Sequence, residues 1–147
     1  TIDYPSNHPD GKVPMLDVKM WIEEKGGRLQ IIYEHYEKEM ATKAVIHATS
    51  AIPRKTKRTV LTQEAFRRIL HCSRHLEWDE VKKHLNNFTK KMQYSGYDHK
   101  FRCEVIKSAI NAFETGRTLK SQLQTSFNLS QGAKIQLNKR VQESRCK

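Results

Sequence analysis

Long apolar stretches and paired cysteines are both scarce in this 147-residue chain. The apolar runs, such as Ala44-Val45-Ile46, last a few residues and exclude a transmembrane helix, which needs about 20. The three cysteines, Cys72, Cys103 and Cys146, lie far apart without a CxxC motif. We therefore expect a reducing compartment rather than a disulfide framework. The sequence does not open with a basic segment followed by an apolar one, which is the pattern of a secretory signal peptide. We therefore expect a nuclear or cytoplasmic protein that is not secreted.

The motifs of common catalytic and nucleotide-binding sites are missing as well. There is no GxxxxGK[ST], no GxGxxG, no serine nucleophile elbow and no HExxH. The acidic residues form no DxD or YxDD cluster of the kind that lets two carboxylates share a divalent metal. His71-Cys72-x-x-His75 lacks a fourth ligand at a spacing that zinc demands. We therefore predict no catalysis, no metal site and no cofactor in this chain.

Acidic charge is scarce after the first third of the chain. The sequence carries 27 Lys and Arg against 16 Asp and Glu, a net charge of +11. Residues 1–53 hold six basic and eight acidic side chains (−2), residues 54–116 fourteen and seven (+7), and residues 117–147 seven and one (+6). Such a distribution favours a polyanionic partner. We expect nucleic acid rather than a membrane, with charge that serves solubility alone as the plainer alternative.

The pattern at the start of the chain predicts a β-hairpin. From Val13 apolar and polar residues alternate, with Leu16, Val18, Met20 and Ile22 on the expected buried face. Residues 24–27 contain two glycines and predict a turn, and residues 28–36 read as the second strand. A further short strand is possible over residues 43–47. Because an isolated hairpin is barely stable in water, this one must pack on something.

The pattern then becomes helical. Helices are expected over about residues 62–73, from Trp78 to a stop at Ser95-Gly96, and from a cap at Asp98 to Gly116. We therefore predict an α+β fold: an antiparallel β-hairpin region (1–53), a basic three-helix, helix-turn-helix-like unit (54–116) and a basic, largely disordered tail (117–147).

Basic residues concentrate before and within the helical unit. The run Arg54-Lys55-Thr56-Lys57-Arg58 is expected to form a loop, and a face of the first helix carries further cations. Lys and Arg in such a strip suit phosphates, whereas nothing identifies a side chain that reads bases. The candidate phosphate contacts are Arg54, Lys55, Lys57, Arg58, Arg67, Arg68 and Arg74, with Lys82, Lys83, Lys90 and Lys91 as a second group.

Two phrases of the sequence resemble animal retroelement reverse transcriptases, notably Penelope-like elements. Val13-Pro14-Met15-Leu16-Asp17-Val18, followed by a glycine turn and Leu29-Gln30-Ile31-Ile32-Tyr33, is similar to the hairpin that follows the catalytic part of the palm. Lys57-Arg58 through Arg67-Arg68-Ile69-Leu70 to Ser95-Gly96-Tyr97 is similar to the helical region in the thumb position.

The resemblance implies a role for each part. The helices would hold a template–primer duplex, either RNA–DNA or DNA, and Tyr33, Tyr36 and Lys38 would lie near the primer 3′ end like a primer grip. The catalytic aspartates of such polymerases precede this hairpin and are absent here. The chain then corresponds to a non-catalytic fragment of an RNA-directed DNA polymerase, whose missing fingers and palm would be a partner.

Two other functions stay open at the level of sequence. An independent helix-turn-helix protein would read DNA with one helix in the major groove and would prefer particular duplex sequences. A protein–protein adaptor would dock a partner helix on the stripe formed by Trp78, Val81, Leu85, Phe88 and Met92, although such a stripe is typical of a bundle core.

Overall fold

A computed structural model of the chain describes residues 2–118 and confirms the α+β fold. A 3₁₀ turn, Pro5–Asn7, precedes three strands, β1 (Val13–Met15), β2 (Val18–Lys25) and β3 (Arg28–His35). The helices are α1 (Arg54–Leu70), α2 (Trp78–Tyr94) and α3, which occupies residues 99–118 of the described part.

The chain divides into two compact units, Thr1–Ile110 and Asn111–Lys147. The sequence-based boundary after Pro53 falls inside the first unit. All of the predicted tail after residue 118 is outside the described residues. No helix among residues 2–118 has the length and apolar character that a membrane span requires.

The three strands form an antiparallel sheet in the order β1-β2-β3. β2 and β3 pair from Val18 opposite His35 to Lys25 opposite Arg28. Gly26 and Gly27 connect them at φ values of 61° and 74°, and two consecutive positive values are the requirement of a type I′ hairpin turn. The predicted glycine-turn hairpin is therefore confirmed.

The predicted buried face of the hairpin is wrong at two of its four residues. Leu16 has a φ of 55° and is 87% exposed, because it lies in the turn between β1 and β2 rather than in a strand. Ile22 is also 66% exposed. Val18 and Met20 of the predicted face are half-buried, and Val18 pairs with the buried His35. On the opposite face Trp21 pairs with the buried Ile32, so each face of the sheet is covered along part of its length.

The helical core agrees better with expectation. Helix α2 begins at Trp78 as predicted and buries Val81, Leu85, Phe88 and Met92. It ends at Tyr94, with Ser95 as its C-cap and Gly96 next at a φ of 88°, which confirms the predicted stop. The Asp98 carboxylate accepts a hydrogen bond of 2.7 Å from the Phe101 backbone N–H and confirms the predicted cap of α3. Leu61, Ala65 and Ile69 supply the buried face of α1, and Phe101, Val105 and Ala109 that of α3.

Helix α1 is longer at its start than predicted. It begins at Arg54 rather than near residue 62, so the basic run expected to form a loop is the helix's first turns. Lys and Arg are good helix formers, and Lys57 lies one turn before the buried Leu61 on the same face. The sequence-based start missed these turns because their inward positions are charged.

The segment of residues 44–50, called the strap below, connects the sheet to α1 without the predicted strand at residues 43–47. The Ser95 hydroxyl accepts from the Val45 N–H at 2.9 Å and donates to the Val45 carbonyl at 3.3 Å. The Tyr97 hydroxyl donates to the Ile46 carbonyl at 2.7 Å, and the Ala48 N–H donates to the Ser95 carbonyl at 2.9 Å. The strap satisfies its backbone groups against the end of α2 instead of in a sheet.

Candidate nucleic-acid interface

The first turns of α1 present a cluster of exposed cations, called the α1 basic end: Arg54, Lys55 and Arg58. No acidic residue lies in the first turn, and no side chain caps it. The Arg54 guanidinium lies 5.0 Å from the centre of the Phe101 ring and 4.0 Å from the Asp98 carboxylate. Arg58 lies 3.3 Å from Glu104. Because the helix N-terminus is itself positive, these cations raise the local positive potential rather than neutralise it.

Two of the predicted phosphate contacts are wrong because their side chains are buried. Lys57 is 5% exposed, and its ammonium donates to the carbonyls of Ala48 and Ser50, both at 2.7 Å. Arg68 is 4% exposed and pairs with Glu37 and Glu64. Burying a charge is costly unless it is paired, and here both cations are satisfied inside the fold. They hold the structure together and do not face a ligand.

The remaining candidates differ in how free they are. Lys91 is mostly buried and bridges Glu37 at 2.7 Å and the Thr42 carbonyl at 3.0 Å, so it is also a structural cation. Arg67 is half exposed but pairs with Asp17 at 2.7 Å and Glu64 at 3.0 Å. The candidates that keep exposed side chains on α2 or before it are Arg74, Lys82, Lys83 and Lys90. Lys82 and Lys83 make surface ion pairs with Asp79 and Glu80, which cost little to exchange for phosphates.

The sheet meets α1 and α2 at a polar group called the Glu37 cluster: Glu37, Arg68, Lys91 and His35. The Glu37 carboxylate accepts from Arg68 and Lys91 at once, and the Arg68 guanidinium lies 4.7 Å from the centre of the Phe88 ring. Burial raises the pKa of Glu37, but the hydrogen bonds from Lys91 and Arg68 outweigh it and lower the pKa from 4.5 to about 2. The cluster is therefore charged and fully engaged in holding β3 to the helices.

Three imidazoles surround the end of β3. His35 and His71 stack with ring centres 5.5 Å apart, and their Nδ1 atoms are 3.2 Å apart. His84 meets His35 edge-on at 5.8 Å. Burial, with Arg68 adding to it, lowers the pKa of His35 from 6.5 to about 4. Burial also lowers the pKa of His71. At neutral pH both rings are uncharged, and one Nδ1 donates its proton to the other.

An open cleft of ≈ 490 Å³ lies beside the Glu37 cluster. Tyr36 and Lys38, two of the primer-grip-like candidates, line it, whereas Tyr33 lies half exposed on the sheet. The structure thus does not bring the three together in one cleft. Within residues 2–118, no group of three or more His, Cys, Asp or Glu is arranged to hold a metal ion. The acids that line the cleft, Asp17, Glu37 and Glu64, are all paired with Arg or Lys.

No family model, curated protein or solved structure matches this chain.

Sequence reasoning missed the Glu37 cluster and the contact between His35 and His71. Both depend on contacts between residues more than thirty positions apart in the chain, and no local sequence pattern predicts them. One signal was available for Lys57 and Arg68. Their spacing from Leu61 and Ala65 places both on the buried face of a helix that starts at residue 54.

Proposed function

We propose that the chain binds nucleic-acid duplex through its sugar–phosphate backbone, as a thumb-like, non-catalytic part of a retroelement reverse transcriptase. The observation that carries the binding proposal is the α1 basic end, where three exposed cations add to the positive end of a helix. The placement costs helix stability, since like charge at a helix terminus is unfavourable, and a bound phosphate offsets that cost. The retroelement assignment rests on the sequence resemblance.

Seven exposed cations remain as phosphate contacts once the three buried ones and Arg67, which two carboxylates hold, are removed: Arg54, Lys55, Arg58, Arg74, Lys82, Lys83 and Lys90. Engagement of about six of them gives a slope near −5 for log affinity against log salt concentration. A slope shallower than about −2 would contradict an extended contact surface. Backbone recognition further predicts nearly equal affinity for unrelated duplex sequences.

The experiment compares two double variants of equal charge change. Lys55→Ala/Arg58→Ala removes two cations from the α1 basic end, and Lys25→Ala/Lys43→Ala removes two exposed cations from the sheet and the loop that follows it. We expect the first variant to lower the salt slope by about 2 and to weaken binding to a labelled 20-base-pair duplex, whereas the second changes neither. Fluorescence anisotropy at four salt concentrations measures both quantities. Equal losses in the two variants would show a diffuse charge effect and refute the proposed surface.

A second function, sequence-specific DNA binding, is favoured by the outer face of α2. Asn86 and Asn87 lie exposed there between Lys83 and Lys90, at helical spacing. Asn can bond adenine in a bidentate manner in the major groove, and the flanking Lys side chains would contact phosphates. This function predicts a strong preference when a random duplex library is selected, lost in Asn87→Ala. The backbone-binding proposal predicts no enrichment.

The adaptor alternative has less support. Four residues of its docking stripe, Val81, Leu85, Phe88 and Met92, are buried in the core. Trp78 alone of the five predicted stripe residues is exposed, at the start of α2. A partner helix would have to displace the protein's own core in order to dock.

A further inference from the structure

The outer edge of β3, on the side away from β2, has backbone N–H and C=O groups that pair with no other strand among residues 2–118. β3 pairs with β2 on one side and is the last strand of the sheet. The Ser73 N–H donates to the Tyr33 carbonyl at 2.8 Å, so the backbone of Tyr33 points away from β2. In a strand this direction repeats every second residue, so the backbone groups of Leu29 and Ile31 also point outward. Within residues 2–118, no other strand pairs with this edge.

The side chains at these outward positions are apolar and exposed. Leu29 is 76% exposed and Ile31 64%, and Ile31 lies opposite the exposed Ile22 of β2. Edge strands in soluble proteins are normally protected by charged side chains, Pro or a bulge. Residues 28–32 contain no Pro, and their one charged residue, Arg28, lies at the end beside the hairpin turn, so the edge from Leu29 to Ile32 is open for pairing with another strand.

We propose that two copies of this chain pair antiparallel through residues 28–32 of β3, which joins their sheets into one of six strands. The contact of Ser73 with Tyr33 limits the free edge to these five residues, and this limit sets the register. Gln30 lies on the two-fold axis opposite Gln30 of the second copy. Leu29 then faces Ile31 of the second copy, and each such pair exchanges two backbone hydrogen bonds.

Charge and polarity agree with this register. The excess of positive charge lies outside the sheet region, because residues 1–53 carry −2 and residues 54–147 carry +13, and therefore two sheets do not repel strongly. The Gln30 Oε1 atom is buried without a hydrogen-bond partner in the single chain. The Gln30 side chain has to turn toward the second copy for its amide to pair with the Gln30 amide across the axis.

The main experiment measures the oligomeric state of the full chain by sedimentation velocity between about 10 and 500 µM, since an interface of five residues per strand is of the small, weak class. We expect a rising dimer fraction in the wild-type chain. Ile31→Pro removes an outward N–H that β2 does not use, and Ile31→Lys places a charge on the edge; both should abolish the dimer. Far-ultraviolet circular dichroism checks that each variant is folded. If Ile31→Pro does not fold, Ile31→Lys alone tests the edge.

Ile22→Lys is the matched control, because Ile22 is equally exposed on the same face but lies on the inner strand β2. We expect it to keep the dimer. If it abolishes the dimer as Ile31→Lys does, the copies pack face to face and edge pairing is wrong. A wild-type chain that stays monomeric up to 500 µM also overturns the proposal.

A cross-link tests the register itself. With the three native cysteines replaced by serine, Gln30→Cys should form a symmetric intermolecular disulfide under mild oxidation, since residues facing each other on the axis approach to about 4.5 Å between Cα atoms. Glu24→Cys, exposed near the hairpin turn and off the axis, should not. Equal cross-linking of both variants would show random collision and contradict the register.

Discussion

Mild acid should loosen the junction between the sheet and the helices through His35. This ring is buried, and its pKa is lowered from 6.5 to about 4. His35 therefore binds a proton more weakly in the folded chain than in the unfolded chain. The contribution of the neutral ring to stability is complete above pH 6.5 and is lost as the pH falls from 6.5 to 4. Between pH 7.5 and pH 5 this lowers the free energy of unfolding by about 2 kcal/mol.

The neighbouring groups act in known directions. The pKa of His71 is also lowered by burial, so His71 adds to the loss of stability. If both rings are protonated, both Nδ1 atoms at the 3.2 Å contact carry a hydrogen, and the hydrogen bond between them is lost. Glu37 stays ionised throughout this window because its pKa is about 2. Its contribution disappears only below pH 4.5, so the measurement should stop at pH 5.

Urea unfolding followed by circular dichroism measures the effect, and a loss of 2 kcal/mol shifts the midpoint by about 1 M. His35→Gln should remove most of the pH dependence, whatever it does to stability at pH 7.5. His75→Gln, at an exposed position, should leave the pH dependence unchanged. A free energy of unfolding that varies by less than about 0.5 kcal/mol over this range, or an unchanged slope in His35→Gln, would refute the reasoning.

The strap and the turn after α2 support two further predictions. Lys57→Met leaves the carbonyls of Ala48 and Ser50 without their donor and should lower the free energy of unfolding by about 2 kcal/mol. Lys55→Met is the control: Lys55 lies two residues earlier in the same helix and is exposed, so its replacement should change the free energy of unfolding by less than about 0.5 kcal/mol. Urea midpoints compare the two, and equal effects would contradict the structural role of Lys57. Gly96→Ala should cost about 1 kcal/mol because the φ of 88° is unfavourable for alanine, and a thermal midpoint at or above that of the wild type would contradict this.

The elements that sequence predicted well are those whose signals are local. The Gly26-Gly27 turn, the start of α2 at Trp78 and the Asp98 cap each depend on residues within one turn of each other. The sheet face was predicted less well, because the burial of a strand residue depends on what packs against it. Leu16 lies in a turn and Ile22 is exposed, whereas Val18, in the same alternation, pairs with the buried His35.

Which of the candidate cations are accessible could not be predicted from the sequence, for a physical reason. Charge counts locate an excess of Lys and Arg, but they do not separate cations that face solvent from cations that hold the fold together. Lys57 donates hydrogen bonds to two strap carbonyls and Arg68 binds Glu37, and composition reveals neither of these partners. A helix that starts at residue 54 puts both on the buried face. The helix boundary, more than the total charge, therefore decides which cations a polyanion can reach.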